Sequence, residues 1–547
     1  MKFPFCLLTL LLVCGHAPAQ HQHPASNNPK PATLLSGLGR HRFPVSTTSA
    51  EAQKFFDQGV ILVYGFNHDE AARSFRRAAE LDSRMAMAYW GLALALSPNY
   101  NQTNIGPEQM RAAHEAIGKG LALAASAPEQ ERAYLEALAK RFSPETNADQ
   151  RALGIAYRDA MRALVGRYPD DPEAATLYAD SMMVLNAWKL WTPDGKPAEG
   201  TTEIVETLEA VLRRNPEHIG AHHLYIHAVE ASPHPEWALA SADALGGLTP
   251  AAGHLVHMPA HIYMRVGDYE RAARSNDLAA SADRAYFDAS ELRGIYAAAY
   301  YSHNLHFLAA ARGMQGRYAE AAAAARQLED NVRPYLKEMP FFESFMPTAT
   351  LMMVRFGRWD EILKSPAPAA SLPVTNALWH WGRGMAYAAS GRVPDAANEL
   401  KTFNAAAQAI SPETGYGQNT ARAVLKIAEH FLAARIAAAR GERKSAIEHL
   451  RRAVAAEDAL AYDEPPGWYH PLSRESLGGA LLLDGQYVEA ERVFREDLLR
   501  NRRNGRSLYG LAESLKAQGR KYEAQLVGRE FESAWKNADT KLRIEDL

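Results

Sequence analysis

The sequence predicts an all-α protein, built as a superhelical array of antiparallel helix pairs. Three observations carry this. The chain has 547 residues, too many for a single hydrophobic core. Alanine is abundant, β-branched runs are few and no strand-like alternation persists, which favours helices packed through small side chains. A short element also recurs: a glycine, often an aromatic two positions later, and then an alanine.

The element stands at Gly267, Gly316, Gly357, Gly391, Gly441, Gly485 and Gly519. Two spacings, Gly357 to Gly391 and Gly485 to Gly519, are 34 residues, and the others, 41 to 50, imply longer helices or loops. One unit carries Ala260, Tyr263, Gly267, Tyr269 and Ala272. The next carries Ala309, Gly316, Tyr318 and Ala321, with Arg312 where the first has an aromatic. A late unit has Gly478, Gly485, Ala490 and Phe494, and an early one has Gly59, Ala71, Phe75 and Ala78. Small residues let two helices approach closely, and glycine permits the reversal between them.

These positions resemble the tetratricopeptide repeat (TPR) family. The resemblance covers most of residues 50–537 and implies a TPR-like α-α solenoid of roughly 8–10 helix pairs. It is loosest over 100–215, where Trp188, Trp191 and the Pro/Gly-rich stretch 193–202 indicate an inserted loop. The expected organisation is a signal peptide at 1–19 and a flexible leader at 20–45. TPR-like helices follow at 46–145, histidine-rich repeats at 146–330 and C-terminal repeats at 331–547.

The N-terminal reading rests on Lys2, the apolar stretch 5–13 and the small-x-small pattern Ala17-Pro18-Ala19. It predicts a periplasmic or secreted protein of bacterial type. The apolar stretch is too short to anchor the chain, and no transmembrane segment is expected after it. A rival reading attaches lipid at Cys14, although Val13 is bulkier than such sites favour. Cys6 and Cys14 are the only cysteines, so cleavage after Ala19 leaves none. A metal site must then use His, Asp, Glu or backbone oxygen. Removal of Gln20 as well would place His21 first and His23 third, a copper-chelating type of terminus. A net charge of −3 and the lack of a basic tract argue for no nucleic acid partner.

Eight of the 20 histidines fall within residues 218–261, where an even spread would place fewer than two. His254, His257 and His261 are spaced by three and four residues, one helical stripe about 60° wide. His303 and His306 repeat the three-residue step, and His223, His227 and Glu230 share a face. Counted in the TPR register from Gly267 and Gly316, the first three occupy positions 2, 5 and 9 and the next two positions 2 and 5. The resemblance implies that these positions line the concave groove. Converging imidazoles without thiolates suit Zn, Cu or Fe. The alternative is that each histidine bonds backbone or water, or that the set contacts a peptide. Pro259 should kink its helix.

The segment 462–470 breaks the helical pattern and reads as an exposed, extended loop. Its Asp463 and Glu464 are candidate ligands or acid–base groups and Trp468 a stacking platform, or the loop is a rigid connector. Glu475 falls on a groove position of the following repeat. No phosphate-binding loop, nucleophile elbow or paired-cysteine motif is present. Two functions stand. One is an exported scaffold that binds a protein, peptide or small-molecule ligand in its groove and can coordinate a divalent transition metal through its histidines. The other is a metal-dependent enzyme (Cu, Zn or Fe) at the same cluster.

Overall fold

Helices follow one another along nearly the whole chain of this computed structural model, which describes residues 32–145, 147–290 and 294–547. The signal segment, both cysteines, His21 and His23 lie outside the described residues. Among the described residues the only strands are Gly415–Tyr416 and Asn419–Thr420, paired antiparallel.

The first pair, Ala50–Tyr64 and His68–Leu81, shows how the sequence builds the array. The Ser49 hydroxyl caps the first helix by accepting from the Ala52 N–H at 3.1 Å. Asn67 starts the second, with Asp69 and Glu70 at its positive end. Phe75 then inserts where two glycines leave room: a Cβ on Gly59 or Gly91 would lie 2.6 or 2.3 Å from its ring. Gly91 belongs to the next helix, Ala86–Ala95, so one aromatic closes the seam between successive pairs. Phe494 repeats this near the C-terminus, held between Gly478 and Gly510.

All seven glycines of the recurring element adopt left-handed φ, from 61° to 79°. They end helices, as a C-terminal glycine does. The architecture is thus an all-α, TPR-like solenoid. At Gly267 the need is double: φ is 78°, and a Cβ would lie 2.1 Å from the Arg502 carbonyl oxygen. Gly267→Ala is expected to lower unfolding free energy by about 1–3 kcal/mol, read by denaturant titration. Unchanged stability would show that this turn moves freely.

That contact reflects a wider feature, for the late repeats fold back on the middle ones. The Tyr269 hydroxyl donates to the Arg502 carbonyl at 2.8 Å, and Arg502 pairs with Glu236 at 3.1 Å. The Tyr318 N–H donates to Asp539 at 2.8 Å. Two expectations are corrected here. Residues 32–45, placed in a flexible leader, are packed: Phe43 lies edge-on to Trp90 and Tyr134, and the Leu35 N–H donates to Gln58 at 2.7 Å. The 462–470 segment is not an exposed loop but turns inward, burying Glu464, Trp468, Tyr469 and His470. Its apolar bulk, with three aromatic rings, is drawn into the hollow that the superhelix would otherwise leave.

Candidate metal centre

Pro259 divides one helix into Gly253–His257 and Pro259–Val266, which carry His254, His257 and His261. His223 and His227 come from Ile219–Val229, and His303 from Ser302–Met314, which a π-turn over Ala297–Tyr301 precedes. Two groups of three imidazoles result: His223, His227 and His254, then His257, His261 and His303. Within each, one ring nitrogen per residue lies within 4.8 Å of the others.

The groove expectation needs correction. Five of the six are at most 2% exposed. Phe66 stacks on His254 at 5.2 Å, Tyr100 lies 4.9 Å from His227, and Phe307 lies 5.1 Å from His257 and 5.0 Å from His261. The centre is a cluster walled by aromatics, five of its rings buried and His303 half-buried.

Hydrogen-bond partners assign the ring protons. His223 Nδ1 lies 2.5 Å from the Tyr64 carbonyl oxygen, which only accepts, so Nδ1–H donates and Nε2 carries the lone pair. His227 Nδ1–H donates to Glu230 Oε1 at 2.6 Å. His257 Nδ1–H donates to Asn276 Oδ1 at 2.7 Å, an amide oriented by its own donation to the Ala272 carbonyl at 2.8 Å. His261 Nδ1 pairs with Glu230 Oε2 at 2.5 Å, so Nδ1 faces the carboxylate. The Nε2 lone pairs of His257 and His261 then face each other at 3.0 Å. Two lone pairs at that distance repel unless a proton or a cation sits between them.

Burial and neighbouring imidazoles push His254, His257 and His303 well below the usual imidazole range. Burial alone would lower His261 too, yet the Glu230 carboxylate holds it above its ordinary value. Burial would raise Glu230, but His261 and His227 keep it well below the carboxylate range. The cluster thus holds neutral imidazoles beside a Glu230–His261 ion pair, and a cation that displaced the His261 proton would keep the Glu230 charge behind its ligand.

The other candidates lie elsewhere. His306 joins neither group: it packs on Phe345 and Tyr469, and burial lowers it to about 3. Trp468 is no stacking platform, being buried against Trp381 and Phe431 with its Nε1–H donated to the Pro471 carbonyl at 2.7 Å. Glu475 is locked between Arg355 and Arg506, each at 3.0 Å, rather than facing a groove. Asp463 and Glu464 do border the cluster, where burial raises them to about 6 and 7 and their charges act on His261. Beside them the Tyr462 hydroxyl donates to Glu230 at 3.1 Å.

Spacing could not separate these histidines from others in the same window. His222 is fully engaged, Nδ1 with the Ser241 hydroxyl at 2.9 Å and Nε2 with the Pro216 carbonyl at 2.8 Å. His218 Nδ1 accepts from the Ala221 N–H at 3.1 Å, so its Nε2–H points at Glu173, 3.1 Å away. With both His218 nitrogens spent, the His41–Glu173–His218 group offers fewer free lone pairs, and His41 Nε2 instead pairs with Glu173 at 2.9 Å. Asn276 and the Tyr64 carbonyl were not foreseen. Asn276 had a faint signal, as a polar residue on the stripe of Ala272, Ala279 and Ala280.

No protein-family model matches the chain, and no curated protein does. Similar solved structures include the human IFIT1 dimer with m7Gppp-AAAA, at 14% identity, 90% of this chain and 91% of that chain, TM-score 0.33. The APC/C hetero-tetramer Cut9-Hcn1 follows at 12%, 90% and 75%, TM-score 0.30. The P58(IPK) TPR domain stands at 12%, 86% and 99%, TM-score 0.23. This chain has the TPR-like fold. At such low scores the likeness carries no argument about a ligand. The expectation of no nucleic acid partner is withdrawn as a correction: human IFIT1, one of these similar structures, is seen with m7Gppp-AAAA. Among the described residues no helix is long and apolar enough to cross a membrane.

Proposed function

We propose that this protein is an exported metal-binding protein whose histidine cluster holds a first-row transition ion on His257, His261 and His303. The supporting observation is the pair of Nε2 atoms at 3.0 Å, each ring having its other nitrogen engaged by Asn276 or Glu230. Ligand nitrogens around a tetrahedral ion with bonds of about 2.0–2.1 Å stand roughly 3.3 Å apart, close to this spacing. An all-imidazole set suits Zn, Cu or Fe(II). Three ligands leave a fourth position open. Export rests on the N-terminal pattern of the sequence.

A metal-dependent enzyme at the same place is the second reading. It is favoured by Tyr462, Asp463 and Glu464, which bring proton-carrying groups to the edge of the cluster beside His261.

Metal analysis of untagged protein tests the proposal. At least one Cu, Zn or Fe per chain is expected. His257→Ala with His261→Ala should lose one ion per chain while far-UV circular dichroism stays unchanged. Bound ion should also leave as pH falls through the imidazole range, roughly 6.5 and below, because ligands must be deprotonated. Protein that is metal-free as purified and cannot be loaded would sink the reading.

A further inference from the structure

We infer that the cluster is a two-ion centre: His223, His227 and His254 hold a second transition ion, and Glu230 couples it to the first. This rests on the metal-binding reading above and extends it to a separate ligand set.

The second set has its own evidence. His223 and His227 give their Nδ1 protons to the Tyr64 carbonyl and to Glu230, so both present Nε2 lone pairs. Neither Nε2 has a hydrogen-bond partner, and neither ring nitrogen of His254 has one. All three rings are buried, and one nitrogen from each lies within 4.8 Å of the others. A buried polar atom left unpaired costs about 1–3 kcal/mol. Three adjacent rings that each offer such an atom to the others are hard to explain by packing, since apolar residues of the same shape would avoid the cost. A cation on the three lone pairs removes it.

The six imidazoles do not gather on one point: nitrogens within 4.8 Å of one another form two separate sets of three, together more than one tetrahedral ion takes. The groups are successive layers of one cluster. Glu230 stands between them with one oxygen for each: Oε1 receives His227 and Oε2 lies on His261. A carboxylate behind a ligating imidazole fixes its tautomer and raises its basicity. Here a single carboxylate does so for one ligand of each ion, which makes Glu230 a positioning residue for both. Two adjacent ions with open positions suit a ligand that bridges them, a small anion or a dioxygen-sized molecule.

Zinc titration of the metal-free full chain, with bound zinc counted by mass spectrometry, tests this. Two Zn per chain are expected in the wild type, one in His223→Ala with His254→Ala, and one in His257→Ala with His303→Ala. Glu230→Gln should weaken both steps by about 10–100-fold, and the d–d spectrum of the cobalt-loaded protein should change at both sites. Loss of fold would show in the circular dichroism, so bands shifted in a protein that keeps the wild-type signal report the ligand environment itself. Should the first double variant not fold, copper-loaded wild type gives the answer: two neighbouring Cu(II) ions show dipolar broadening in electron paramagnetic resonance, and one does not. One zinc in the wild type, kept without His223 and His254, overturns the second ion and leaves the first. Two zincs kept in that variant place the second ion elsewhere and also overturn it. No zinc in any protein removes both readings. Glu230→Gln with unchanged affinities overturns the coupling.

Discussion

Glu475→Ala is expected to destabilise the protein by about 3–5 kcal/mol. Glu475 and Arg355 have fully buried side chains, and Arg506 is 3% exposed. Removing the carboxylate strands two buried guanidinium groups and the Asn504 amide, which donates to Glu475 Oε1 at 2.7 Å. The partners lie on different repeats, so the loss is not local: Arg355 also donates to the Gly313 carbonyl at 3.1 Å. Denaturant unfolding followed by circular dichroism measures the effect. Glu475→Gln keeps the shape and loses the charge, so it should fall nearly as far. Replacing all three members by apolar residues of similar size should cost much less, because no charge is then left unpaired. A Glu475→Ala protein within about 0.5 kcal/mol of wild type would mean that water reaches these groups.

Phe494→Ala is expected to cost about 3–5 kcal/mol. The ring is fully buried, and a Cβ on Gly478 or Gly510 would lie 2.5 or 2.1 Å from it. Backbone on both sides is held too close by neighbouring helices to collapse into the space, so a cavity persists. Gly510→Ala alone should cost about 1–3 kcal/mol by overpacking. The double variant should be more stable than the sum of the two losses predicts, since the alanine methyl enters the vacated volume. Strict additivity would show that ring and glycine do not share that space.

The repeat glycines were legible because their signal is local. Left-handed φ is a property of one residue, and all seven positions show it. The stripe of His254, His257 and His261 was legible for the same reason, because helical period alone puts them on one face. His306 shares the register of that stripe yet faces Phe345 and Tyr469, since the 462–470 segment enters the hollow on its side. Trp468 and Glu475 were misplaced for the same cause: what faces a helix is set by chain far away. Tyr64 reaches His223 across 159 residues, Tyr462 reaches Glu230 across 232, and Arg355 reaches Glu475 across 120.

Sequence alone determined the helices, their turns, the pairwise seams sealed by Phe75 and Phe494, and the face on which each histidine lies. These follow from interactions within one or two helix pairs, where spacing along the chain equals spacing in the molecule. Tertiary structure alone decided that the late repeats and an inward segment close the hollow. It also decided which imidazoles keep a free lone pair and that Glu230 stands between the two groups. Those outcomes depend on the accumulated curvature of many repeats, which no local pattern records.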